Sequence, residues 1–259
     1  MKEIPKSILL IAAIAFLFIS SPIIGLLERM PWSNLDSLLN SKTVKDAIFL
    51  SLLVSLSASI IVLILGTPLA WVLVRGKIPG RKILRAVVIL PMVLPPVVGG
   101  TALLFALGRK GFIGRWLDAW FNLTLPFTTA GAVITAVFVS MPFYVISVES
   151  ALTSKGQELE KMAETLGVSQ MGVFCRVTLP RILPSIGAGL ALAWARALGE
   201  FGATITFAGN LPGKTQTLPL ATFLALETNP EEALALSLLL LTISLAILIP
   251  FRNQWLPSR

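Results

Sequence analysis

Long apolar runs separated by short polar intervals make up most of the chain. Six runs are long enough to cross hydrocarbon as helices, which takes about 20 residues each. They cover residues 7–27, 47–74, 83–107, 132–148, 182–207 and 233–251. The pattern predicts an all-α integral membrane protein with six transmembrane helices, folded as a single domain over residues 1–259. Lys2 and Lys6 precede the first run as they would in a signal peptide. That run is long, however, and no small-residue cleavage site closes it, so a retained helix is expected. After the third run, Trp116, Trp120 and Phe121 share one helical face, the pattern of a short helix lying at the membrane surface.

The polar interval at residues 153–183 has its own periodicity. Ser154 and Gln157 have the spacing of a capping box. Leu159, Met162, Ala163 and Leu166 then fall at i, i+3, i+4 and i+7, one apolar stripe of a helix. Gly167 suits the left-handed turn that closes a helix. Ser169 is placed to cap a second short helix through Cys175, and Leu179-Pro180 to end it. Two short amphipathic helices with a glycine elbow are therefore expected. Their stripe either packs on its own bundle or offers a docking surface.

Composition narrows the class. Of 259 residues, 55% are hydrophobic and only 13% charged, against about 25% charged in soluble domains. The net charge of +8 fits basic loops on the cytoplasmic face better than nucleic-acid binding. Arg75, Lys77, Arg81, Lys82 and Arg85 follow the second run with no acid among them, which makes that loop cytoplasmic. Alternation puts both termini on the same side, where Lys2, Lys6, Arg252 and Arg259 agree, as do Lys155, Lys161, Arg176 and Arg181. The chain has no histidine, the commonest acid–base catalyst and metal ligand. The single Cys175 excludes an internal disulfide or thiolate cluster. No nucleophile with a base and no paired acids stand out, so neither a catalytic site nor a metal site is expected. Gly213-Lys214-Thr215 looks like the end of a phosphate-binding loop, but Ala208 stands where that motif needs glycine.

The interval 153–181 also carries a family resemblance. Lys161, Met162, Ala163 and Gly167, then nine residues, Val177, Leu179 and Pro180 resemble the cytoplasmic "EAA" loop of binding-protein-dependent ABC importer permeases. Lys161 stands where that family usually has glutamate, and Glu160 lies one place early. The family's ion pair to its ATPase subunit falls to one or the other. Residues 90–100, 125–128, 195–204 and 208–219 resemble the molybdate/tungstate and sulfate branch, the last two favouring molybdate or tungstate. The resemblance implies a type I importer permease fold in the cell membrane and a homodimer with two ATPase subunits. It also implies an extracytoplasmic oxyanion-binding protein. ATP and Mg²⁺ would belong to the ATPase, with no cofactor on this chain. Asn210-Leu-Pro-Gly213 reads as a turn, and with Gly209 and Thr215 it would lie on the face that meets the binding protein.

Two features lie within the apolar runs. Arg196 and Glu200 are four residues apart, flanked by Gly199 and Gly202, and charges at such depth face a partner or a wet cavity. They either compensate each other or line a translocation path, Arg196 attracting an oxyanion and Glu200 limiting how tightly it is held. Pro91, Pro95, Pro96, Gly99 and Gly100 break the third run. Such a break is tolerated only where protein or water covers it, which places it against the pore as a gate or as a fixed kink. A self-powered transporter would need more spans, repeats or buried titratable groups, so the ABC permease is the favoured reading.

Overall fold

The computed structural model describes residues 5–255, with only the backbone of residues 248 and 250–255. Lys2 and Arg259, which entered the charge argument, lie outside the described residues, as does the side chain of Arg252. Among the described residues all regular structure is helical. α1 (Lys6–Glu28) is followed by a 3₁₀ turn and α2 (Leu35–Leu39), α3 (Lys42–Arg75), α4 (Arg81–Val93), α5 (Pro96–Leu107) and α6 (Gly114–Phe121). Then come α7 (Thr129–Ser154), α8 (Glu158–Thr165), α9 (Gln170–Val173), α10 (Leu179–Leu198), α11 (Gly202–Phe207), α12 (Leu218–Thr228) and α13 (Pro230–Trp255).

The core forms where α3, α7 and α10 pack together. Val62, Ala70, Leu73, Tyr144, Val145, Val148, Ile182 and Ile186 are buried there. Lipid offers no hydrophobic drive for helices to associate, so small residues that permit close approach decide the fit. A Cβ on Gly66 would lie 2.7 Å from the Tyr144 ring, and one on Gly189 would lie 2.9 Å from the Ser147 side chain. The Tyr144 and Thr67 hydroxyls bond each other at 2.6 Å, which satisfies two buried polar groups. By contrast α1 buries no residue at all and approaches α13.

Two expected spans are not continuous helices. Residues 83–107 form α4 and α5, which meet at 119°. The prolines at 95 and 96 disfavour helix in the residue before each, and Leu94 and Pro95 are extended, with ψ of 137° and 135°. Residues 182–207 also divide, because α10 ends at Leu198 and α11 begins at Gly202. Among the described residues, five helices, or six if α4 and α5 count as one bent span, are long and apolar enough to cross a membrane.

Candidate functional site

Three groups of residues singled out in the sequence fall at three levels of the bundle. The first is at the Arg75 end of α3. Ser154 and Gln157 do not form the expected capping box. α7 continues through Ser154, whose hydroxyl turns back to the Ala151 carbonyl at 3.0 Å, and α8 starts uncapped after a left-handed Gly156. Gly167 behaves as expected, with φ of 80°. The Val168 N–H reaches the Ala163 carbonyl and the Gly167 N–H the Glu164 carbonyl, the two bonds of a Schellman stop. The Ser169 hydroxyl accepts the Gly172 N–H at 3.2 Å.

Leu179-Pro180 does not end the second helix. Phe174–Thr178 widen into a π-turn, and the helix runs on into α10. Pro180 brings no N–H and would crowd the carbonyl four residues back in a regular α-helix. The wider turn accommodates it. Val177 and Leu179 are half-buried there, and Pro180 is exposed.

On α8 the stripe points away from its own bundle. Leu159, Met162 and Leu166 are 48%, 61% and 84% exposed, and Lys161 is exposed beside them. Packing on its own bundle is thereby excluded for these three side chains. Glu160 points the other way and is the only buried residue of α8. It accepts from Arg75 Nε at 2.8 Å, from Arg75 Nη2 at 3.2 Å and from the Thr178 hydroxyl at 2.9 Å. An open cleft of 590 Å³ beside it is lined by Arg75, Lys77, Glu160, Lys161 and Glu164 among others. A second ion pair at this end joins Arg85 to the buried Glu149 of α7 at 3.1 Å. Arg75, Thr178, Arg85 and Glu149 escaped sequence reasoning, because charges at the ends of apolar runs mark topology equally well.

At the second level, Arg196 and Glu200 form an ion pair, but not along one helix. Glu200 lies in the break after α10 and is 3% exposed. Its other carboxylate oxygen accepts the Ala203 N–H at 2.8 Å, satisfying a free donor at the start of α11. The Arg196 side chain remains 29% exposed. The break in α4–α5 lies against this segment. A Cβ on Gly202 would come within 2.7 Å of Pro96, and one on Gly100 within 2.7 Å of the Ala203 carbonyl oxygen and of Thr206 Cβ. Gly99 faces Phe138. Pro96, Gly100, Gly202 and the Arg196–Glu200 pair thus belong to one joint between α5 and α11. Pro91 sits inside α4, and a side chain at Gly199 would approach only the Ala195 carbonyl.

The third level is the loop before α12. The turn falls at Pro212–Thr215 rather than at Asn210–Gly213. Gly209 and Gly213 are left-handed. Thr215 is wholly buried, accepting the Leu211 N–H at 2.9 Å and donating to the Gly209 carbonyl at 3.3 Å. It staples the loop from inside, and Leu211 to Lys214 form its outer surface. Nearby, α6 forms as expected, with the Trp116 and Trp120 rings 5.3 Å apart and Phe121 exposed.

Residues 62–259 match the family described as binding-protein-dependent transport system inner membrane component. The chain belongs to that family. It is accordingly a multi-pass inner-membrane component, and the segment before residue 62, including α1, lies outside the match. Over 249 residues it is 41% identical to the molybdenum transport system permease protein ModB of Mycobacterium tuberculosis, covering 95% of this chain and 93% of that one. The Escherichia coli K12 ModB is 45% identical over 211 residues (82% and 92%). The sulfate transport system permease protein CysT of E. coli K12 is 36% identical over 252 residues (97% and 90%). Among solved structures, a bacterial ABC transporter importing the acidic polysaccharide alginate superposes with a TM-score of 0.76 at 19% identity (96% and 93%). The MetNI methionine ABC transporter in inward facing conformations gives 0.62 at 15% (80% and 92%). At those identities the likeness is one of fold.

Proposed function

We propose that this chain is the membrane-spanning permease subunit of an ATP-driven importer that moves molybdate, and with it tungstate, by alternating access. The observation that carries the reading is 41–45% identity to molybdenum permeases over most of the chain, against 36% to a sulfate permease. Two copies form a homodimer. Two ATPase subunits, which hold ATP and Mg²⁺, dock beneath it, and an extracytoplasmic oxyanion-binding protein delivers cargo above it. The permease hydrolyses nothing itself. With α4 and α5 counted as one bent span, there are six spans and both termini are cytoplasmic.

Each level then has a role. Leu159, Met162 and Leu166 seat on the ATPase. Glu160 is engaged within the chain, so the ionic contact to that subunit falls to Lys161. Ala163, Gly167, Val177, Leu179 and Pro180 shape the segment that receives the push. Arg196, at the edge of the α5–α11 joint, attracts the anion, and Glu200 keeps the attraction weak enough for release. The two arrangements of the joint are the discrete states that nucleotide and cargo bias differently. Gly209, Asn210 and Gly213 shape the loop that meets the binding protein through Leu211–Lys214.

Reconstitution in proteoliposomes with the cognate ATPase and binding protein tests the cargo. Uptake of labelled molybdate should be ATP-dependent, competed by tungstate and unaffected by an equal excess of sulfate. Sulfate uptake without molybdate uptake would replace this reading with that of a sulfate permease. The docking face makes a separate prediction. Burying a leucine contributes about 1.5–3 kcal/mol, and a buried unpaired carboxylate opposes binding further. Leu166→Asp should therefore stop the ATPase subunit from co-purifying, while the permease stays monodisperse in detergent. Retention of a full complement of ATPase would sink the assignment of that face.

A further inference from the structure

α8 is attached to the bundle in an unusual way for an amphipathic helix: its only buried residue is charged. Its apolar side chains point outward, so burial of hydrocarbon does little to hold it. What holds it is the guanidinium of Arg75, the last residue of α3. Besides Glu160, Arg75 Nη2 donates to the Leu152 carbonyl at 2.9 Å and to the Gly156 carbonyl at 3.0 Å. Leu152 lies in the last turn of α7, where carbonyls lack helical partners. The cation also sits where the α7 dipole favours it, and Glu160 sits in the first turn of α8, where a negative charge is favoured. The Thr178 hydroxyl adds the π-turn at the base of α10. One fork of N–H groups thereby joins the ends of α3 and α7 to α8, and through Glu160 to α10.

We propose that Arg75 is a positioning residue for energy coupling, holding α8 rigidly to α3 and α7 so that movement of the ATPase becomes movement of the spans. This rests on the permease reading above. Without Arg75, α8 stays bound to the ATPase through its outward face but is tethered to the spans only by its flanking loop, by α9 and by the bond from Thr178 to Glu160. Hydrolysis would then proceed without driving the joint between α5 and α11. Lysine replaces arginine only in part, because a single ammonium does not reproduce a planar fork that reaches a carboxylate and two carbonyls together.

The test uses the assembled complex in proteoliposomes and reads ATP hydrolysed and molybdate transported side by side. Arg75→Gln should lower the molybdate-to-ATP ratio about ten-fold, the scale expected for loss of one buried charge-assisted contact. Arg75→Lys should lower it less, since it keeps the charge but not the fork. A purely structural role would reduce assembled complex and both rates in proportion, leaving the ratio unchanged, and that result would overturn the proposal. Should Arg75→Gln fail to assemble, Arg75→Lys decides: a fallen ratio supports the proposal and a wild-type ratio overturns it. If the wild-type complex neither transports molybdate nor responds to the loaded binding protein, the permease reading fails instead.

Discussion

Leucine in place of Gly100 is expected to abolish uptake while leaving the complex assembled. Even the first added carbon would lie 2.7 Å from the Ala203 carbonyl oxygen, 2.7 Å from Thr206 Cβ and 3.0 Å from Ala203 Cα. Two of those three atoms are backbone, which cannot rotate aside as the end of a long side chain can. Overpacking a closed contact typically costs about 1–3 kcal/mol and often shifts backbone, and here the yielding element is α5 itself. The α3–α7–α10 core lies elsewhere, so the bundle should persist. Gly99 is the built-in control. A Cβ there meets only the edge of the Phe138 ring at 3.3 Å, and Gly99→Ala should transport at close to the wild-type rate. Molybdate uptake and the gel-filtration profile of each variant check both statements. Normal uptake by Gly100→Leu would mean that close contact between α5 and α11 is not needed for transport.

The second large effect concerns the ion pair. Arg196→Gln should reduce uptake by about a hundred-fold or more, because it leaves the buried Glu200 carboxylate without its cation. Breaking one side of a buried pair commonly costs about 3–5 kcal/mol. The variant would also present an unopposed negative charge to an incoming anion. Glu200→Gln should act in the opposite sense. Its amide oxygen can still accept the Ala203 N–H, and the freed Arg196 would hold the anion longer, lowering KM and kcat together. Initial rates over a range of loaded binding protein separate the two. If both variants show the same change, or if Arg196→Gln transports normally, the pair is a structural tie alone.

What could be read from the sequence was local or periodic. The Gly167 stop was legible because a left-handed closure depends on its own few residues. The runs that became α1, α3, α7 and α13 were legible because apolar length needs no knowledge of neighbours. The prolines at 95 and 96 announced a break but not its 119° angle, which depends on what α5 packs against. The interruption after Leu198 was not legible, although Glu200 falls within it, because a charge inside a span can equally belong to a continuous helix that faces a partner or a wet cavity. Ser154 misled because its hydroxyl served the helix before it rather than the one after. Glu160 could not be assigned a direction at all, since its partner Arg75 stands 85 residues away. The family spacing drew attention to residues 153–181. It did not reveal that the acid displaced by one position faces inward.

α3 has 34 residues, about 51 Å of helix, while the hydrocarbon layer is only about 30 Å thick. Near its start, the Ser51 hydroxyl accepts the Leu218 N–H at 2.6 Å and so holds the end of the loop that carries Thr215. At its finish, Arg75 holds α8. A single rod therefore joins the loop that carries Thr215 to α8. Under the function proposed above, arrival of cargo on one face and nucleotide chemistry on the other would act as two loads on one beam, not as a message passed through a chain of relays. The beam has one soft point, Pro68, which has no N–H to offer the Ile64 carbonyl, beside the Thr67 hydroxyl that is bound to the Leu63 carbonyl and to Tyr144. Under that proposal, stiffness at that point would set how much of a tilt applied at one end is delivered at the other.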